Sequence, residues 1–476
     1  MLAVFLNVAG KTITDSIFGD FIRYAGKAWF SPAEFRQLTR IAGPLIVASL
    51  VTMSISITDV IMIGKLGTVE LAAGAAASDF YSIFYYLAAG VIAAISPLIA
   101  QARGNRAFSD VKPITLLGLA AGLLTGIPAA IAVYHAPYVL TLVGVKRDII
   151  SVAAPYSQMM AIAIFPMLAT MAMHHFLSAH GKTRIILYVT ACALPVNIVG
   201  NYLLLYGNLG FPRLGLAGAG IATAVTGVFM FASMAGYVAL HPRFRRYWYL
   251  QRSSVTPLAQ IKEIFHVGLP IGVCHVGEMG VFLFSTVTMG VFGAEVLAAH
   301  TIALRAAGVF YAVPLGYAQA ATVRVAYLFA RKDNERLQQA LRTVMIMVLA
   351  FGIVLMLFIL TVKDGLPAMV LDPDQITSEV LAKASTFLVL LAVMQVTINL
   401  GTVGAGVLRG FKDTRIPMMF SLFAYWGFGF GAAMLLAMAA GLNGSGIWVG
   451  LLTATAVFAL LVWRRLYRYY WAQMAT

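Results

Sequence analysis

Long runs of apolar residues alternate with short polar segments along the whole of this 476-residue chain. Many of the runs reach the roughly 20 residues that an α-helix needs to cross a bilayer. Because lipid offers the backbone no hydrogen-bonding partner, such runs must be helical. They are too long and too uniform for the alternating strands of a membrane β-barrel. The pattern predicts an all-α polytopic membrane protein with twelve transmembrane helices, at 41–63, 78–100, 114–134, 152–177, 185–206, 215–240, 264–291, 298–326, 343–362, 384–408, 416–440 and 445–463.

The basic residues outside these spans are unevenly distributed. Of the 33 lysines and arginines, 25 lie in residues 1–40, in alternate loops and in the C-terminal tail, whereas six lie in the opposite loops. Cytoplasmic loops of membrane proteins carry such an excess of Lys and Arg. We therefore predict that both termini are cytoplasmic, and we interpret residues 1–40 as an amphipathic leader on the membrane surface.

The second half of the chain repeats the first at an offset of 226 positions. Pro44, Gly64 and Gly67 correspond to Pro270, Gly290 and Gly293. Six spans are an even number, so the two halves share one orientation and are related by a pseudo-two-fold axis along the membrane normal, with a cleft between them. The predicted organisation is a six-helix lobe at 41–240, a cytoplasmic linker at 241–263, a six-helix lobe at 264–463 and a basic tail at 464–476.

Composition agrees with a bilayer as the main partner. Hydrophobic residues make up 61% of the chain and charged residues 11%, against about 25% charged residues in soluble proteins. The net charge of +15 does not indicate nucleic acid, because the cations follow the loop asymmetry. Cys192 and Cys274 lie in apolar segments without a partner motif, and we interpret both as small core residues.

Only two carboxylates lie deep within the predicted spans, Asp59 and Glu278. In the repeat alignment Asp59 corresponds to Ser285, and Glu278 corresponds to Thr52, so the two acids do not occupy equivalent positions. Their aligned positions are seven residues apart. Seven residues are about two helical turns, so each acid is expected to face the interior of its own lobe. Burial disfavours the charged form, which suits proton binding and release. The alternative is a structural carboxylate capped by Ser, Thr or Asn.

Two asparagines in span 5, Asn197 and Asn201, lie four residues apart and therefore share one helix face. Alone they would be interhelical hydrogen-bonding residues. Beside a buried aspartate their amide oxygens would suit a proton or sodium site, because hard cations prefer oxygen ligands. The sequence leaves both interpretations open.

Other ionisable residues give weaker signals. Arg305 either balances a carboxylate, repels cations or extends toward the outer interface, and we favour the last. We interpret Arg324 as structural. A metal site is not predicted at His174, His175 and His180, because no acid accompanies them. The segment VAGKT at 8–12 lacks the first glycine of a phosphate loop, since Phe5 stands there. We therefore expect no cofactor and no enzymatic activity.

Five segments together resemble the multidrug and toxic compound extrusion (MATE) transporters, specifically the bacterial NorM-like branch. They are GKTR at 181–184, PVNIVGNYLLLYG at 195–207, GLPIGVCHVGE at 268–278, LAAHTIAL at 297–304 and LRGFKDTRIP at 408–417. The resemblance covers the chain from about residue 38 onward. It implies a monomeric antiporter of the inner membrane that expels cationic, often aromatic compounds in exchange for H⁺ or Na⁺.

The resemblance also implies an ion-coupling site. Asp59 matches the family's span-1 acid, Asn197 and Asn201 match its span-5 polar pair, and Thr223 matches a span-6 threonine. These four residues would form an ion site in the N-terminal lobe. Glu278 matches the span-7 acid of the NorM-like branch. The substrate-binding residues remain unassigned.

This chain departs from that branch in span 10, where an aspartate is usual. Residues 397–399 read Thr-Ile-Asn, and AAHT at 298–301 replaces the usual AAHQ. The C-terminal lobe therefore lacks one negative charge. We expect this to disfavour sodium coupling there and to favour proton coupling at Asp59.

Three alternatives to a drug antiporter agree less well with the sequence. A flippase for lipid-linked oligosaccharide would need a strongly cationic cleft for a diphosphate, whereas the spans hold two acids and few bases. A membrane-embedded transferase would need a catalytic constellation, which the loops do not show. A channel explains the two repeated halves, whose buried acids lie at non-equivalent positions, less well than a transporter does.

Overall fold

The computed structural model of the chain describes residues 30–142, 144–249, 256–366 and 377–471. It contains twelve helices long and apolar enough to cross a membrane, which confirms the predicted number. No β-strand occurs within those ranges. The helices are α1 Pro32–Gly64, α2 Thr68–Gly104, α3 Phe108–Tyr134, α4 Arg147–Ala179, α5 Thr183–Leu204, α6 Leu216–Leu240, α7 Pro257–Val291, α8 Ala294–Ala330, α9 Asn334–Val362, α10 Ser378–Gly410, α11 Arg415–Ala439 and α12 Asn443–Tyr470.

The first helix begins earlier than the span predicted from residue 41. Pro32 occupies its first turn, and the Ser31 hydroxyl accepts a hydrogen bond from the Glu34 amide at 3.4 Å. Proline at the first helical position and a serine cap are both typical of helix starts. Residues 32–40, which were assigned to the leader, are therefore the first turns of α1. Residues 1–29 lie outside the described ranges.

The predicted linker at 241–263 is also shorter in the structure. It contains a short helix at Pro242–Tyr249, and α7 already begins at Pro257. The predicted tail at 464–476 begins inside α12, whose α-helical part continues to Leu466. In each case the helix extends beyond the predicted apolar span into more polar residues.

Prolines and altered turns bend several spans. Helix α2 is interrupted at Ala94, between the segments Thr68–Ala93 and Ile95–Gly104, where Pro97 cannot donate to the carbonyl four residues earlier. In α1, Pro44 leaves the Arg40 carbonyl without its helical donor, and the Thr183 hydroxyl of α5 donates to it at 3.4 Å. Helix α11 contains two π-helical stretches, Phe423–Gly429 and Leu435–Ala439.

The twelve helices form two lobes with the same packing. In the first lobe α4 packs against α2, α3 and α6, and in the second α10 packs against α8, α9 and α12. One large hydrophobic cluster fills each lobe. These equivalent pairings confirm two six-helix lobes related by pseudo-two-fold symmetry, as the repeat predicts.

The lobes contact each other through α1 against α8 and α2 against α7, which are equivalent pairs. Small residues allow both crossings. A Cβ at Gly90 would collide with the backbone of Gly272, and one at Gly316, the repeat mate of Gly90, would collide with Ile46. The lobes are therefore in close contact at these depths.

All hydrogen bonds described between the lobes lie toward one end of the helices. We call it the basic end, because it carries the Lys- and Arg-rich loops after α2, α4, α6, α8 and α10. There the Gln101 side chain donates to the Gly410 carbonyl at 3.0 Å, and the Gln319 side chain donates to the Ser96 hydroxyl at 2.8 Å. This end of the lobe interface is closed.

Exposure rises along the same helix faces toward the opposite end. On α8, Ala312 and Gly316 are buried, whereas Val309 is 41% exposed and Arg305 is exposed. These positions are spaced to lie on one helix face. On the equivalent face of α2, Gly90 is buried and Tyr86 and Asp79 are exposed. The lobes therefore separate toward the end opposite the basic end, which leaves a cleft.

Candidate functional site

The predicted residues of the N-terminal lobe meet where α1 packs against α5. The Asn201 side-chain amide donates to Asp59 Oδ1 at 2.5 Å and also lies 3.3 Å from Asn197 Oδ1. The Asn197 side chain lies within hydrogen-bonding range of the Asp59 carboxylate as well. The structure thus brings three of the four predicted N-lobe residues into one cluster.

The burial of this cluster determines its chemistry. Asn197 and Asn201 are each 1% exposed, and Asp59 is half-buried. The Asn201 Oδ1 atom is buried and has no partner among the described residues. No lysine, arginine or histidine forms an ion pair with Asp59 within the described ranges. A proton or a metal cation is therefore the natural countercharge, since a buried carboxylate is costly when unpaired.

Thr223, the fourth predicted residue, is placed differently. Its hydroxyl donates to the Ala219 carbonyl of its own helix, α6, at 3.0 Å. In the part of the chain that the structure describes, no hydrogen bond joins it to Asp59, Asn197 or Asn201. Its membership of the ion site stays a prediction.

The acid of the C-terminal lobe, Glu278, has different neighbours. The Cys274 thiol, one turn earlier on α7, lies 3.7 Å from Glu278 Oε1. Arg409 of α10 and the tyrosines Tyr311 and Tyr425 are close enough to interact with the glutamate electrostatically. The nearby charge is thus positive, and no pattern in the sequence indicates that Arg409 approaches Glu278.

Span 10 contributes no carboxylate at this depth. The Thr397 hydroxyl pairs with the Thr455 hydroxyl of α12 at 2.7 Å. The buried Asn399 side chain donates to the Gln395 carbonyl of its own helix at 2.7 Å. Neutral groups therefore occupy the segment in which the NorM-like branch carries its aspartate.

A buried ion pair joins the lobes at the basic end. Arg324 of α8 donates two hydrogen bonds to the Glu34 carboxylate of α1, at 2.7 and 2.6 Å, and the two residues are 9% and 3% exposed. From the sequence we interpret Arg324 as structural, but we do not identify Glu34 as its partner. Nothing in the sequence connects the two residues, because Glu34 precedes the first apolar run. Breaking such a pair typically costs about 3–5 kcal/mol.

The remaining predicted groups are not assembled into a metal site. Within the four described ranges, no cluster of three or more His, Cys, Asp or Glu side chains is placed to hold a metal ion. His175 lies instead at the lobe interface, with Nδ1 3.3 Å from Gln319 Nε2. Arg305 is exposed on the cleft-facing side of α8 and has no carboxylate partner among the described residues.

The chain is similar to known proteins over most of its length. The MatE family model matches residues 44–203 and 270–435, one segment in each lobe. The chain is 33% identical to the probable multidrug resistance protein NorM of Rhizobium meliloti, over 91% of this chain and 93% of that protein. It is also 33% identical to the multidrug resistance protein NorM of Burkholderia vietnamiensis, over 89% and 92% of the two chains.

Solved structures share the fold at lower sequence identity. The eukaryotic MATE transporter AtDTX14 superposes with a TM-score of 0.84 at 21% identity, covering 93% of this chain and 97% of that one. A mutant of the Vibrio cholerae MATE transporter VcmN superposes with a TM-score of 0.83 at 17% identity, covering 92% and 97%. The two matched segments and the full-length relatives show that this chain, a multi-pass membrane protein, belongs to the MatE family.

Proposed function

We propose that this protein is a secondary antiporter that expels cationic, aromatic compounds from the cell in exchange for protons, by alternating access of the cleft between its lobes. The observation that carries the proposal is the buried cluster of Asp59, Asn197 and Asn201, an acid without a protein countercharge among the described residues. Such an acid gains stability when it binds a cation or a proton.

Proton binding would change the hydrogen bonds of this cluster. The ionised Asp59 accepts from the Asn201 amide. A protonated Asp59 carries an O–H group, which can donate to an amide oxygen such as Asn201 Oδ1, now without a partner. Because an amide offers both a donor and an acceptor, the same residue can serve both states after the side chain turns.

The cluster is connected to the lobe interface through α1. The helix that carries Asp59 also carries Met53, which faces Gly308 of α8, and Glu34, which pairs with Arg324. A shift of α1 on protonation would therefore alter lobe contacts on two levels. A ligand changes a conformational equilibrium only through such differential contacts.

We assign the basic end to the cytoplasm and the protein to the inner membrane, with both termini cytoplasmic. The support is the excess of Lys and Arg in the loops at this end. In that orientation the cleft is open to the outside and closed to the cytoplasm. We keep the expected monomer, no cofactor and no enzymatic activity as parts of the proposal.

Sodium is the alternative coupling ion. The carboxylate of Asp59 and the amide oxygens of Asn197 and Asn201 are hard oxygen ligands, as Na⁺ requires. The C-terminal lobe is less suited to Na⁺ binding, because Glu278 lies near the positive charge of Arg409 and the middle of span 10 adds no carboxylate. No observation favours the lipid flippase, and we do not retain it.

Ethidium movement in proteoliposomes tests the proposal. The full-length protein would be reconstituted with ethidium inside, and a pH gradient and a sodium gradient would be imposed separately. We expect the pH gradient to drive ethidium across the membrane, and the sodium gradient to drive less. Absence of ethidium movement under both gradients would overturn the proposal.

A further inference from the structure

A cavity of about 300 Å³ lies at the basic end of the N-terminal lobe, beside the start of α5, whereas Asn197 and Asn201 lie near the other end of that helix. It is enclosed by the end of α2, the start of α3, the loop after α4 and the short helix Pro242–Tyr249. Among the described residues, its lining comprises three cations and four rings: Arg103, Lys182, Arg243, Phe108, His180, Phe244 and Tyr247.

The cations in these walls have no carboxylate partner among the described residues. None of Arg103, Lys182 and Arg243 forms an ion pair with a carboxylate in the part of the chain that the structure describes. Asp110, close in sequence to Phe108, does not line the cavity. Three like charges around one space repel each other unless an anion is bound between them.

The walls are held in place by packing. Phe244 is 1% exposed, and its ring lies 5.3 Å from that of Phe176 and 5.0 Å from that of His180. Arg103 donates to the Ala179 carbonyl and is in hydrogen-bonding range of Tyr247. The cavity is therefore a built feature of the lobe and not a gap between mobile surface side chains.

His180 adds an uncharged ring to the walls. Its Nδ1 lies 2.8 Å from the Phe176 carbonyl, so this nitrogen carries the proton. Burial, together with the charges of Arg103 and Arg243, lowers the pKa of His180 to about 3. The ring is therefore neutral at physiological pH and adds no fourth positive charge to the cavity.

The C-terminal lobe shows what this arrangement lacks. The segment GKTR at 181–184 corresponds to KDTR at 412–415, so Asp413 stands where the first lobe has Lys182. Asp413 Oδ2 accepts from Arg465 at 2.5 Å and from the Tyr470 hydroxyl at 3.2 Å. One lobe thus supplies its own carboxylate at this position, whereas the other supplies a further cation.

We propose that the cavity binds the phosphate group of an anionic molecule, in the place that a carboxylate takes in the other lobe. Arginine side chains match phosphate oxygens in a two-pronged geometry, and lysine adds a point charge. A membrane lipid headgroup and a soluble phosphate ester carry the same chemistry, and basic pockets at the cytoplasmic ends of membrane helices suit lipid headgroups.

Native mass spectrometry of the full-length protein in a non-ionic detergent tests this site. Phosphatidylglycerol would be titrated against phosphatidylcholine of the same chain length, and glycerol 3-phosphate would be added as the soluble competitor. One variant combines Lys182→Gln with Arg243→Gln. The other is Lys182→Asp, which introduces the residue type that the C-terminal lobe has at Asp413. Arg415→Gln, an exposed cation at the same end of the C-terminal lobe, is the matched control.

We expect wild type and Arg415→Gln to retain one tightly bound phosphatidylglycerol, and both cavity variants to bind it at least about tenfold more weakly, since charged hydrogen bonds contribute about 1.5–3 kcal/mol each. Lys182→Asp should keep the melting temperature of the lipid-free wild type, which separates loss of the site from loss of folding. If glycerol 3-phosphate binds with the same dependence on the variants, the proposal holds with a soluble ligand. Equal binding of phosphatidylglycerol by wild type, both variants and the control would overturn it.

Discussion

The two lobes have the same helix packing but place their buried acids in different surroundings. In the N-terminal lobe Asp59 is bonded to a neutral asparagine amide. In the C-terminal lobe Glu278 lies beside a thiol and within electrostatic range of Arg409. The same architecture therefore presents one acid without a countercharge among the described residues and one acid with a cation nearby.

The repeat mates of these acids explain how the lobes diverged without loss of the fold. Ser285, the mate of Asp59, donates to the Val281 carbonyl at 2.8 Å, and Thr52, the mate of Glu278, donates to the Ala48 carbonyl at 3.0 Å. A hydroxyl bonded to its own helix needs no partner from a neighbouring helix. A buried carboxylate does need such a partner. Each acid is therefore stable only in the lobe whose neighbouring helices supply groups that interact with it.

The difference supports our proposal that proton exchange takes place in the N-terminal lobe. Asp59 is stabilised in its ionised form only by amide dipoles among the described residues, so binding a proton removes a costly buried charge. Glu278 has the positive charge of Arg409 within electrostatic range. The following predictions test this assignment, from the largest expected effect to the smallest.

Asp59→Asn should reduce ethidium efflux driven by a pH gradient to the level of protein-free vesicles, because the amide cannot exchange a proton. The measurement is ethidium fluorescence in proteoliposomes. Asp364→Asn, in the loop between α9 and α10, is the control and should behave as wild type. Full pH-driven efflux by Asp59→Asn would refute the assignment.

Asn201→Leu should weaken pH-driven efflux by about tenfold, because a hydrogen bond to a charged group contributes about 1.5–3 kcal/mol. The pH dependence of the initial efflux rate measures this effect. The matched variant is Thr223→Val, which removes a hydroxyl bonded only to its own helix, and we expect its rate to stay within about twofold of wild type. A larger loss in Thr223→Val than in Asn201→Leu would place the threonine in the site instead.

Glu278→Gln should lower the same rate by no more than about threefold, because it removes a negative charge near Arg409 but leaves the proton site of the other lobe intact. Rates in Glu278→Gln and Asp59→Asn would be compared at equal protein content per vesicle. If Glu278→Gln abolished efflux while Asp59→Asn retained it, the roles of the two lobes would be reversed.

Asn399→Asp should produce the smallest effect. It adds a carboxylate to span 10 with little change in side-chain size. We expect a new sodium-driven ethidium efflux at about a third of the pH-driven rate or less. Asn399 lies one turn from Thr402, whose hydroxyl is in hydrogen-bonding range of Tyr311 near Glu278. The measurement is ethidium efflux under a sodium gradient at constant pH. An unchanged response to sodium would show that charge in this lobe does not limit sodium coupling.

The sequence alone was sufficient for the helices and for part of the site. Apolar length predicted the twelve spans, and the four-residue spacing of Asn197 and Asn201 predicted their shared face, because both follow from local geometry. That Asp59 meets this face required the family resemblance, since 142 residues separate Asp59 from Asn201.

Contacts that depend on tertiary packing were not predictable. Glu34 lies before the first apolar run and pairs with Arg324 on another lobe, which no spacing along the chain encodes. Arg409 approaches Glu278 only because α10 packs inside the C-terminal lobe beside α8. The predicted start of the first span, residue 41, was late, because a serine cap and Pro32 begin the helix in a polar segment.

Proton release on cargo binding tests the central claim most directly. Ethidium would be added to the purified full-length protein in weakly buffered detergent solution with a pH indicator, and the released protons would be counted per ethidium bound. By linkage, competition between cargo and proton at Asp59 predicts release of about one proton in wild type and in Glu278→Gln, and none in Asp59→Asn. Undiminished release by Asp59→Asn, or its loss in Glu278→Gln alone, would contradict the account.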